Sequence, residues 1–162
     1  MGLNEVSSIL WRERQLLELL LFKLEEEQLL LAAGRSRWLA LATREVDRVL
    51  EGIRQAELAR AMEVEAVAVQ LGLGPVPSLS ELIAAAPHPW NDILAEHRRA
   101  FLGATREITT LAQANRELLH RGYLATRDAL AWLGEGPAAV TYTPAGAAVG
   151  AARGPRLLDE AM

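Results

Sequence analysis

The chain contains no cysteine, which removes a disulfide framework, a thiolate zinc site and a cysteine nucleophile together. Lysine is nearly absent: of the 17 basic side chains only Lys23 is a lysine. Against them stand 21 acids, for a net charge of −4, the wrong sign for a protein that works by neutralising phosphates. No nucleic-acid partner is expected. Aromatic residues make up only 5%, and none interleaves the basic cluster His97-Arg98-Arg99, so that cluster reads as a solvated helix face. Long apolar runs are missing too. The densest, Leu16 to Leu24, is broken by Glu18 and Lys23 and falls far short of the roughly 20 residues a bilayer span needs. The N-terminal stretch MGLNEVSSIL shows no basic leader and no small-residue cleavage site, and it carries Val6 where a myristoylation signal has Ser or Thr. The expected location is the cytoplasm.

What the chain does have is helical periodicity. Its 162 residues, 51% apolar and 23% charged, suit one modest core. Leu3, Leu10, Leu17, Leu24 and Leu31 recur at intervals of seven, with Val6 and Leu20 at the three-residue offset, which predicts a long amphipathic helix. Gly34 ends it, since glycine supplies a left-handed cap without steric cost. A second stripe, Leu39, Val46, Val49, Ile53, Ala56, Val64, Val67 and Leu71, runs to Gly72. The short connection at Gly34 makes the pair an antiparallel hairpin. Gly52 lies inside the second helix at a cost of ~1 kcal/mol relative to alanine, which implies close packing against a neighbour.

A proline-rich connector follows, with Ser78 and Glu81 forming a capping box ahead of a short helical turn, Leu79 to Ala86. From Trp90 to Leu133 no proline occurs, and Leu94, Phe101, Ile108, Leu111, Leu118, Ala125, Ala129 and Trp132 carry a third stripe over about 66 Å. Residues 134–162 hold only scattered apolar residues among glycine and proline and read as a flexible tail. The expected fold is all-α: an elongated antiparallel three-helix bundle (1–133) with a flexible C-terminal partner-binding tail (134–162). If the registers align at its N-terminal end, the third helix outruns its partners and leaves Leu124, Leu130, Trp132 and Leu133 as an apolar contact surface.

Catalytic chemistry finds no foothold. Glu117-Leu118-Leu119-His120 has the E-x-x-H spacing of di-iron bundles, but such sites need the pair twice plus two further inward carboxylates. It reads as a surface pair. The run Glu25-Glu26-Glu27 covers three helix faces and reads as solvated, and Gly72-Leu73-Gly74-Pro75 reads as a turn, because proline removes a phosphate-binding N–H. No enzyme, metal or cofactor is expected. Asn115, on the apolar stripe, reads as a buried amide that fixes helix register. Of Trp11, Trp38, Trp90 and Trp132, the last is weighed equally as core edge and as binding hot spot. The leucines of the first helix cover more than one face, which leaves open a self-associating coiled-coil adaptor.

Three segments together resemble a known family, the flagellar secretion chaperones of the FlgN type. They are the first helix LLELLLFKLEEEQLLL, the stretch Asn115-Arg116-Glu117-Leu118-Leu119, and Tyr142 with Gly146 in TYTPAG. The resemblance implies a cytosolic type III export chaperone that holds the aggregation-prone terminal segment of hook-filament junction proteins until the export gate takes it. It implies that Tyr142 contacts the gate's cytoplasmic domain, and that Gly146, Val149, Leu157 and Leu158 belong to the subunit-binding arm. A monomer or weak homodimer is expected. Residues 144–156 depart from the family in being rich in Ala, Gly and Pro where it has an amphipathic helix.

Overall fold

The computed structural model describes residues 2–134, which form helices α1 (Gly2–Ala32), α2 (Ser36–Leu71), α3 (Leu79–Ala85) and α4 (Trp90–Gly134), with no strand among them. The sequence expectations for the tail fall on 135–162 and lie outside the described residues.

Local chemistry sets the helix ends. At Gly34 the backbone turns left-handed (φ 65°); its N–H donates to the Leu31 carbonyl at 3.2 Å and the Arg35 N–H to the Leu30 carbonyl at 2.8 Å. Gly72 repeats the arrangement at φ 69°, with Gly72 N–H donating to Val69 and Leu73 N–H to Ala68. Both are the paired capping pattern that satisfies the last carbonyls of a helix. Ser78 and Glu81 cap α3 reciprocally: the Ser78 N–H donates to Glu81 Oε2 at 2.7 Å, and the Glu81 N–H to Ser78 Oγ at 3.2 Å.

Side-chain contacts give the helix directions within residues up to Leu118. Arg60 reaches Glu13, Lys23 reaches Glu45 and Thr43 reaches Glu27, so numbers fall along α2 as they rise along α1 and the two are antiparallel. Ser7 meets His97 and Leu24 meets Asn115, so α4 runs parallel to α1. Two apolar clusters result. One joins Val6 and Leu10 of α1 to Val64 and Val67 of α2, Leu82 of α3 and Leu94 of α4. The other joins Leu20 and Leu24 to Val46 and Val49, with Ile108, Leu111 and Ala112 packed on them. Each fully buried leucine or valine stabilises by about 1.5–3 kcal/mol. Between the clusters Gly52 of α2 faces Leu16 of α1, and a Cβ added there would lie 3.4 Å from Leu16 Cδ2, an ordinary packing distance rather than the tight approach the sequence implied.

Two readings of polar residues are corrected. His97 is not part of a solvated face; it is 1% exposed. It follows Leu94 by three residues on the buried stripe, and a neutral imidazole loses less on burial than the arginines beside it, which stay exposed. Glu27 is likewise buried, because α2 and α4 supply hydrogen-bond donors to its carboxylate. Of its run only Glu25 is exposed, and Glu26 is half-buried.

Packing divides the chain inside α4, between Leu118 and Leu119. From Leu119 to Gly134 every described side chain is exposed except Leu124, which is half-buried.

Candidate partner-binding surface

The buried side of α4 carries Leu94, His97 and Asn115, with Phe101, Ile108 and Ala112 packed partly beneath the clusters. Steps of three and four continue that line through Leu119, Tyr123, Thr126, Leu130 and Leu133. The line is mostly apolar, interrupted by His97, Asn115 and Thr126, and its last part faces water. Leu119, Tyr123, Leu130 and Leu133 are 40%, 65%, 63% and 44% exposed, and Trp132 next to them is 40% exposed. Of the contact surface expected from the sequence, Leu130, Trp132 and Leu133 are thus exposed, while Leu124 is the half-buried member. Leu119 and Tyr123 escaped the sequence reading. The stripe followed there, through Leu118, Ala125 and Trp132, kept strict sevens, and a straight α-helix drifts by ~20° per heptad against such a repeat. Stepping by three and four from Ala112 would have found both residues.

One turn before Leu119, on the same line, sits a buried polar knot. Asn115 is 2% exposed; its Nδ2 donates to the Leu24 carbonyl at 2.9 Å and to Glu27 Oε2 at 3.2 Å. Thr43 Oγ1 donates to Glu27 Oε1 at 3.0 Å. Three helices are tied at this level, and Asn115 Oδ1 has no hydrogen-bond partner among the described residues.

A second polar group lies near the start of α4. His97 Nε2 and Ser7 Oγ are hydrogen-bonded at 3.3 Å, and the imidazole meets the Trp11 ring edge-on at 5.2 Å between centroids. Arg14 lies over the other part of that assembly, 4.2 Å from the Trp11 centroid and 3.6 Å from Glu96. Burial pushes the His97 pKa down, the Arg14 charge adds to this, and Glu96 opposes it. Because the folded pKa lies below the unfolded one, stability is fully present above about pH 6.5 and is lost as pH falls toward the folded value. Glu13 acts with the opposite sign: desolvation raises its pKa, Arg60 lowers it and Glu57 raises it, so acidification favours its folded form. Comparing wild type with His97→Gln isolates the histidine. Urea midpoints are expected to fall between pH 7.5 and 5.5 more steeply in the wild type, and equal slopes would show that His97 takes up its proton without cost.

Glu117 and His120 are both exposed, and Glu117 accepts from Gln113 Nε2 at 3.3 Å. Among the described residues no group of three His, Asp or Glu could hold a metal. Trp90 packs on the first cluster, whereas Trp38 is about half exposed beneath Arg37. Tyr142, Gly146, Val149, Leu157 and Leu158 lie outside the described residues.

The architecture is therefore a set of packed helices with an apolar seam at the end of the last one that no other described helix covers. No described helix is long and apolar enough to cross a membrane. No curated protein and no solved structure matches the chain. The family model described as FlgN protein matches residues 1–150, which is nearly the whole sequence. The chain belongs to the FlgN family of flagellar export chaperones.

Proposed function

We propose that this chaperone works in the cytoplasm as a carrier of hook-filament junction subunits, which it keeps from premature association and delivers to the export gate. The observation that carries the reading is the exposed seam Leu119, Tyr123, Leu130 and Leu133 with Trp132 beside it, an apolar stripe suited to the greasy terminal segment of a subunit. In this reading residues 1–133 are the helical scaffold and residues 134–162, including Gly146, Val149, Leu157 and Leu158, complete the grip. Tyr142 is the contact to the gate's cytoplasmic domain. A client segment that orders on binding loses ~1 to 2 kcal/mol of backbone freedom per residue, which holds affinity to a level that permits release.

Tyr142→Ala separates the two duties. Titration of a purified junction subunit is expected to give unchanged affinity, while secretion of that subunit from cells falls. Equal loss of both would remove Tyr142 from gate contact and place it in the grip. A second reading, self-association through α1, is favoured by the exposure of Leu19, Phe22 and Leu29. A stable dimer of the client-free chain in light scattering would support it over the carrier.

A further inference from the structure

A groove of about 560 Å³ lies between α2 and the connector that leads into α3. Its α2 wall is Leu58, Ala61, Met62 and Glu65, spaced by three and four along one helix face; Val76, Pro77 and Leu79 form the other. Its apolar lining is presented to solvent, since Leu58 and Met62 are each 66% exposed and Val76 is 89% exposed. Val76 also has φ 60°, a left-handed backbone that β-branched residues rarely adopt. A pair of carboxylates gives the groove its sign. Glu57 and Glu65 both line it, two turns and about 12 Å apart on α2, and among the described residues neither is in an ion pair. Arg60 lines it as well, but its charge is met at 3.0 Å by Glu13, which is buried. The unbalanced charge at the rim is negative.

We infer that this groove is a second docking site, separate from the α4 seam, for an amphipathic helix of a partner protein that lays an apolar face on Leu58, Met62 and Val76 and sets two basic residues against Glu57 and Glu65. Helix-in-groove recognition needs an apolar trough with walls at helical spacing, and opposite charge at the rim fixes orientation and partner choice.

The probe is a fluorescein-labelled synthetic helical peptide with leucines on one face and two lysines two turns apart, read by anisotropy against the full chain. A control peptide carries glutamates in place of the lysines. The lysine peptide is expected to bind, and the control to bind about tenfold more weakly or not at all. Leu58→Gln and Met62→Gln, both at exposed positions, should each weaken the lysine peptide by about tenfold. Glu57→Gln with Glu65→Gln should flatten its salt dependence, and Trp132→Ala should leave it unchanged. Equal binding of the two peptides, binding of neither, or full affinity in Met62→Gln would overturn the site. A dimer in light scattering that Met62→Gln dissociates would assign the groove to a second copy of the chain and overturn the partner helix.

Discussion

Replacing Asn115 by alanine is expected to lower the free energy of unfolding by about 3 kcal/mol, the upper range for leaving buried polar groups unsatisfied. The size follows from what the amide serves. Its Nδ2 is shared between the Leu24 carbonyl and the carboxylate of Glu27, and Glu27 is only 7% exposed. Without Asn115 the carboxylate keeps Thr43 alone as its hydrogen-bonding partner among those described. Removing both polar groups is a different experiment. Asn115→Leu combined with Glu27→Leu should recover most of the loss, because apolar replacement of a complete buried pair is often near neutral. Urea unfolding of the two singles and the double gives the coupling energy directly. A single-variant loss under about 0.5 kcal/mol, the level of an ordinary surface change, would show that the amide is solvated in practice.

Trp132→Ala should act on binding and hardly on folding. The side chain is 40% exposed, so truncation is expected to change stability by no more than about 0.5 kcal/mol. Tryptophan is the residue type most enriched among interface anchors, where truncation costs about 2 kcal/mol or more. If the α4 seam grips the junction subunit, calorimetric titration should show affinity reduced by about 30-fold, with Leu130→Ala and Leu133→Ala following in the same direction. Unchanged affinity in all three would move client binding off the end of α4.

What the sequence made legible was whatever depends on near neighbours. The heptad leucines of α1, the glycine stop at Gly34 and the reciprocal Ser78 and Glu81 cap are each decided within a turn or two, and the helices fall within a residue or so of the expected limits. The polar interior was hidden for the opposite reason. Glu27 follows Leu24 by three residues and His97 follows Leu94 by three, so both sit on buried stripes. Whether such a position is interior or marginal depends on hydrogen-bonding partners contributed from helices far away in the chain, here Thr43, Asn115 and Ser7. Asn115 stood out as polar on an apolar line, but its partners did not. The seam past Leu118 was partly seen through Trp132 and Leu133, and its correct phase needed the observed line from Ala112 and Asn115.

The spacing of the polar groups along α1 has one more effect. Leucines repeating every seven residues would tolerate slippage of α4 by one heptad, since most apolar neighbours would be exchanged for equivalents. The histidine and the amide would not. Sliding His97 forward would take it from its buried hydroxyl partner Ser7, and carrying Asn115 away would leave the buried Glu27 carboxylate with Thr43 alone. A repetitive greasy rail thus admits a single stop, and misaligned forms of the chain are penalised at both ends of the ride.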